Sequence, residues 1–344
     1  MMKKTIKWIL SAVIFVFCGL LIFGNIAEVV RKKTGNASDM IHSFYEIEEN
    51  TLDVLALGSS HAYSAFYPNV LWQEYGLTSY AMSSHRQTPA FSYYLLKEAL
   101  QYQKPKVVLL ETYYFFFTGK YTDKETIRMT MDGMKTGWVK HEMIQDLLGE
   151  LSWKEKAAYY VPFLMYHSRW SELKDYDFNT KPWRKGAILD YNVYQMSHPG
   201  TADTLSEVCQ LNKEYLDKIV QLCKENEIEL VFYTAPYSYN DSEKGFRQKQ
   251  GFNLWFENYA AENNFDYFDY QKIEEAGIDF ATDFRDEAHL NAYGAEKITK
   301  HLGSVLVQEY GLKSHMGNPD YASWEADYQK YLEEVTSLTQ TSAE

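Results

Sequence analysis

Leu52-Asp53-Val54-Leu55-Ala56-Leu57-Gly58-Ser59-Ser60-His61 is the stretch on which the fold of this chain turns. An apolar run broken only by Asp53 stops abruptly at a glycine, the pattern of a strand buried on both faces in a parallel sheet. Gly58 permits a tight turn, and the residues after it open a helix. A serine on such a turn stands at the carboxyl end of the sheet, where sheets of this type bind ligands, with backbone amides placed to face a developing oxyanion. The same Ser-Ser pair is equally an ordinary helix cap.

Outward from this stretch, similar runs recur at Thr78–Met82, Lys106–Glu111, Ile228–Thr234 and Phe265–Asp269. Helical patterns separate them at Phe91–Tyr102, Leu205–Asn226 and Gly251–Asn264. Alternating strands and helices predict a three-layer α/β/α domain over residues 51–312 with a mostly parallel, five-stranded sheet. Residues 113–204, which carry Trp138, Trp153, Trp170 and Trp183, are too long for a crossover and read as a cap inserted after the third strand, beside the site. Residues 34–50 read as a juxtamembrane linker with a first helix, and 313–344 as a helix at Tyr321–Leu338 with a polar tail.

Trp8 to Ala27 carries no charge. Twenty helical residues cover about 30 Å, the thickness of a bilayer core, so residues 1–33 are expected to be a basic tail and a transmembrane anchor. A cleaved signal peptide is the competing reading, but no small-x-small cleavage site precedes Arg31-Lys32-Lys33. Lys3, Lys4 and Lys7 on one side balance those three on the other, so charge alone does not orient the helix.

The chain has 344 residues and a net charge of −13, from 34 Lys+Arg against 47 Asp+Glu, which argues against nucleic acid as a partner. Aromatic residues make up 16%, a content that suits either a filled core or a long cleft. Cys209 and Cys223 are about 21 Å apart if they share one helix, too far for a disulfide within it. No His-x-x-x-His, Cys-x-x-Cys or phosphate-cradling glycine loop occurs, so neither metal nor cofactor is expected.

Asp283-Phe-Arg-Asp286-Glu-Ala-His289-Leu290-Asn291 follows the last strand and precedes the last helix of the domain. The Asp286/His289 spacing lets a carboxylate fix and stabilise an imidazole, with Asn291 capping the next helix. A lone Asp-x-x-His is more often a surface loop; its pairing with Ser60 is what raises it.

Together, Gly58-Ser59-Ser60 and Asp286-Glu-Ala-His289-Leu290 resemble the Gly-Asp-Ser and Asp-x-x-His-Leu blocks of the SGNH, or GDSL-like, hydrolase superfamily. The resemblance spans most of residues 50–312, and with the N-terminal helix it looks most like the membrane-anchored DltD-like and alginate O-acetylation branch. It implies a flavodoxin-like fold and a Ser60-His289-Asp286 triad. It also implies a serine esterase or O-acyltransferase acting on acyl esters of an extracytoplasmic polysaccharide. The partners implied are the bilayer, an acylated glycan and a membrane-bound O-acyltransferase, with the domain outside the cell membrane. A catalytically inactive glycan- or acyltransferase-binding protein and a lipid esterase at the membrane surface stay open as alternatives.

The superfamily's glycine and asparagine blocks are not evident. The second strand leads into Met82-Ser83-Ser84-His85-Arg86, which makes the Ser84 amide, with that of Ser60, the candidate oxyanion donor, and the third strand leads into Glu111-Thr112-Tyr113 with no asparagine. His61 and His85 read as loop histidines rather than bases. Arg86, with His167, Arg169 and Trp170 from the compact group Tyr166–Trp170, are the substrate-binding candidates. As alternatives, Trp170 anchors the cap and Arg169 pairs with a carboxylate.

Overall fold

The computed structural model describes residues 2–31, 37–198, 200, 204–238 and 243–341. Five strands, β1 (Val54–Leu57), β2 (Ser79–Ala81), β3 (Val107–Glu111), β4 (Glu229–Thr234) and β5 (Asp266–Asp269), form one sheet in the order β2-β1-β3-β4-β5. Every neighbouring pair is parallel; Ala56, for example, lies opposite Ala81 on one side and Leu109 on the other. Each falls within a run predicted as a strand.

The helices are α1 (Met2–Val30), α2 (Ala37–Ser43), α3 (Ser60–Ala65), α4 (Pro68–Tyr75), α5 (Pro89–Ala99), α6 (Lys124–Met131), α7 (Trp138–Leu147), α8 (Trp153–Tyr160), α9 (Phe163–Tyr166), α10 (Gln210–Glu225), α11 (Glu243–Asn263), α12 (Ala292–Gln308) and α13 (Ala322–Thr341). Successive strand residues point to opposite faces. Leu55, Leu57, Val108, Leu110 and Phe232 pack under Phe91 of α5, Ile219 of α10 and Phe256 of α11. Val54, Ala56, Leu109 and Val231 pack under Leu71 of α4 and Ile298 and Leu302 of α12. The result is the three-layer α/β/α arrangement, each fully buried Leu or Phe contributing about 1.5–3 kcal/mol.

Strand order decides where a site can form. From β1 the chain steps outward to β2 and then returns to place β3 on the other side of β1, so the carboxyl ends of β1 and β3 flank the switch point. The long segment between β3 and α10 supplies α6 to α9, and its return stretch covers the outer edge of the sheet, with the Ala81 N–H donating to the Lys185 carbonyl.

Both flanking segments pack into the domain. Ile41 of α2 and the neighbouring Phe44 belong to the main core, while residues 32–36 of the stretch read as a linker lie outside the described residues. In α13, Trp324 stacks on Trp72 of α4 at 6.2 Å, and Glu334 receives Arg184 and the Trp183 indole N–H. The helix expected at Tyr321–Leu338 is thus an outer brace on α4 and on the return stretch before α10, while residues 342–344 of the tail lie outside the described residues.

Helix α1 holds one stretch long and apolar enough to cross a membrane, Thr5–Val30, with mean hydropathy 2.5. Its apolar side chains are exposed, but its end is buried against the cap: Val30 is 0% exposed and Arg31 2%.

Packing of α12 on α4 leaves no room at Gly303, where a Cβ would lie 2.3 Å from the Tyr75 ring. Gly303→Val is expected to lower the unfolding free energy by about 1–3 kcal/mol, read as a lower urea midpoint at unchanged slope.

Candidate active site

At the end of β1 the backbone turns through Gly58 at φ +148°, and a Cβ there would stand 2.6 Å from Glu111 Cβ and 3.0 Å from Ala62 Cβ. Glycine is therefore required both for the conformation and for the close approach to β3. The two serines that follow divide the roles open in sequence. Ser59 is the helix cap, its Oγ accepting from the His61 N–H at 3.4 Å. Ser60, the first residue of α3, lies with its Oγ 2.7 Å from His289 Nε2.

The loop carrying His289 is held at its own base. Arg285 N–H donates to the His289 carbonyl at 3.0 Å. Asn291 caps α12 through the N–H groups of Tyr293 and Gly294, while its amide donates to the Thr282 carbonyl at 2.7 Å. Within the loop, Asp286 Oδ1 accepts from the Ala288 and His289 N–H groups, each at 2.9 Å, and the His289 Nδ1 lies 2.9 and 3.0 Å from the two Asp286 oxygens. An ionised Asp286 offers no proton, so Nδ1 carries the hydrogen and Nε2 is left to accept from Ser60. Burial alone would raise the Asp286 carboxyl; the His289 hydrogen bond and charge, the Ala288 N–H and Arg285 outweigh it and hold it well below the usual carboxylate range. Ser60, His289 and Asp286, proposed from sequence as a triad, are in one hydrogen-bonded line.

Around this line the walls are aromatic. His61 stands outside this line: its ring is buried, stacked on Tyr113 at 3.7 Å and tilted 5.0 Å from His289, and its Nδ1 has no partner among the described residues. Burial, reinforced by His289, pushes its pKa well down, so it stays neutral. Tyr237 meets both the His61 and Tyr113 rings edge-on. His85 is half-buried and is likewise shifted downward, by burial and then by Arg86 and His289. Arg86 sits exposed beside it, with φ +52° and an ion pair to Asp123 at 3.6 Å.

Ser84 is fully buried at the carboxyl end of β2, its Oγ 2.7 Å from Thr130 Oγ1 of the cap helix α6. Among the described residues, no hydrogen bond is made by the N–H of Ser60 or of Ser84.

Glu111 was passed over in sequence as the polar end of a strand. It is 2% exposed and stands under the Gly58-Ser59-Ser60 turn, accepting from the Tyr113 N–H at 2.9 Å and from Ser59 Oγ at 3.3 Å. The N–H groups of Ser59 and Ala235 also lie near it, so one carboxyl gathers the ends of β1, β3 and β4. Burial pushes it up to about 8, against the pull of these donors. An acidic residue closing an unbroken apolar run, Val107–Leu110, was the available signal. Arg285 was also missed: it donates to Ser64 Oγ at 2.9 Å and lies 3.6 Å from Asp286, tying the histidine loop to α3.

The group Tyr166–Trp170 lies elsewhere. Arg169, a substrate-binding candidate in sequence, is corrected to a structural clamp: its buried guanidinium donates to the carbonyls of Val30 and Arg31 at 2.8 and 2.7 Å and to Asp177 at 3.0 Å. Of its two neighbours, His167 is exposed, with Nδ1 3.2 Å from the Leu164 carbonyl, and Trp170 is exposed on the same surface. Among the described residues, no hydrogen bond, ion pair or ring contact joins any of the three to Ser60, His289 or Asp286.

No family model and no curated protein matches the chain. Among solved structures, a chain from Desulfitobacterium hafniense DCB-2, assigned to a G-D-S-L family of lipolytic proteins, is similar over 75% of this chain and 100% of its own, at 13% identity and a TM-score of 0.38.

A buried acid with a raised pKa stabilises the fold fully below its unfolded value, near 4.3, and loses that contribution as pH rises through its folded value. For Glu111, with a folded value of about 8, the unfolding free energy should decline between roughly pH 4.5 and 8, by at most about 1.4 kcal/mol per pH unit. Glu111→Gln should flatten that decline in denaturant melts across this range.

Proposed function

We propose that this chain is a serine esterase or O-acyltransferase, anchored in the membrane and acting on acyl esters of an extracytoplasmic glycan or related polymer. The observation that carries the chemistry is the 2.7 Å contact between Ser60 Oγ and His289 Nε2, continued by the 2.9 Å contact between His289 Nδ1 and Asp286. His289 takes the Ser60 proton as Oγ attacks the ester carbonyl, and the amides of Ser60 and the Ser84 turn face the oxyanion. The imidazolium, stabilised by Asp286, then protonates the departing alcohol oxygen and leaves an acyl group on Ser60. Water or a sugar hydroxyl gives up a proton to His289 and removes the acyl group, restoring the serine.

Retention of the anchor is supported by the Arg169 clamp. A side chain buried in the domain is committed to the last carbonyls of α1, and Arg31 itself pairs with Glu28 at 2.6 Å and Asp39 at 3.0 Å. Cleavage near this point would leave Arg169 with fewer acceptors in a buried site. An extracytoplasmic domain is part of this reading, because the glycan it would act on lies outside the membrane.

One observation favours a second reading, in which the domain binds a glycan or an acyltransferase without catalysis. The end of β3 offers no side-chain amide to an oxyanion, because Thr112 and Tyr113 stand where the related superfamily has an asparagine.

Turnover of short activated acyl esters by the full chain in detergent separates the readings. Catalysis predicts measurable hydrolysis that falls by at least about 10³-fold in Ser60→Ala and by about 10²–10⁴-fold in Asp286→Asn; a folded chain with no turnover supports the binding role. Protease added to intact cells should digest the domain, and full protection would reverse the topology.

A further inference from the structure

The cap presents an apolar surface at the level where α1 leaves the membrane. Two independent ties set that level. The rings of Phe23 in α1 and Phe163 in α9 meet edge-on at 4.8 Å, and Arg169, just beyond α9, holds the carbonyls of Val30 and Arg31. Phe23 lies four residues before the end of the uncharged run at Ala27, or about 6 Å along the helix. If the run fills the bilayer core, α9 lies at its edge.

What α9 shows to the outside fits that depth. Leu164 and Met165 are each 54% exposed, and Trp170 on the following turn is 56% exposed. An exposed aliphatic pair next to an exposed tryptophan is the composition of a segment lying in the interface between headgroups and acyl chains. In water these side chains would remain uncovered, whereas a bilayer around α1 covers them without any further folding. Continuity with α1 singles out lipid as the occupant.

We infer that α9 and the turn bearing Trp170 form a second membrane contact, seating Leu164, Met165 and Trp170 in the lipid interface beside the anchor. This rests on α1 being a membrane-spanning helix. Two points of attachment, unlike one, fix the tilt of the domain. On the side of α6 that meets α3, Met129 packs with Tyr63, and Thr130 contacts Ser84. A cavity of about 470 Å³ beside this helix is lined by Lys124, Arg128, Met129, Glu155, Tyr159 and Met165.

The test is nitroxide labelling of the full chain in vesicles of pure phosphatidylcholine and phosphatidylglycerol. Cys18 and Cys209 are replaced by serine, buried Cys223 is kept, and single cysteines are introduced as Ile14→Cys, Leu164→Cys and Met165→Cys. The expected result is that labels at 14, 164 and 165 all collide more with lipid-soluble oxygen than with a water-soluble nickel chelate. Lipid exposure at 14 with water exposure at 164 and 165 overturns the second contact and leaves the anchor intact. Water exposure at 14 overturns the anchor and this inference with it. Labels at 164 and 165 shielded from both reagents would show protein contact, such as a second copy, and would also overturn it.

Discussion

The distance between Ser60 Oγ and His289 Nε2 joins residues 229 positions apart, and nearly every feature of the domain bears on it. The serine is delivered by β1, between β2 and β3 in the sheet, and the histidine by a loop ahead of α12 on one sheet face. Both must reach the same carboxyl edge. The reversal of strand order between β1 and β3 opens the space in which they meet, and Gly58 lets the backbone pass against Glu111 closely enough to aim the serine into it.

Beneath that contact, the Glu111 carboxyl serves three strand ends at once. A neutral acid there carries no charge to be desolvated, and its oxygens can still accept from Tyr113 N–H and Ser59 Oγ. Arg285 performs the matching task on the other side by linking the histidine loop to α3. The Ser60–His289–Asp286 line is thus supported from below and from the flank by side chains outside it, which keeps the three groups within hydrogen-bond reach.

Much of this was legible in the residues. The runs at β1 and β3 were legible because strands buried on both faces leave an apolar signature. Ser60, Asp286 and His289 stood out only as a pair of blocks, since each block alone reads as a helix cap or a surface loop. Glu111 escaped notice because its meaning depends on Ser59 and Ala235, neighbours only in the folded sheet. For Arg169 the alternative of a carboxylate partner was in view, and Asp177 fills it, but its other partners, Val30 and Arg31, are 139 and 138 residues away, and no local pattern connects them. The bracing role of α13 is likewise carried by contacts from Trp324 and Glu334 to distant segments.

Mapping of a covalent adduct tests the central assignment most directly. The folded full chain is incubated with a fluorophosphonate, digested and analysed by peptide mass spectrometry. A nucleophilic Ser60 activated by His289 predicts a single phosphonyl adduct on Ser60, absent from Ser60→Ala and from His289→Ala. No adduct on the folded protein, or an adduct on Ser83 or Ser84 instead, would contradict it.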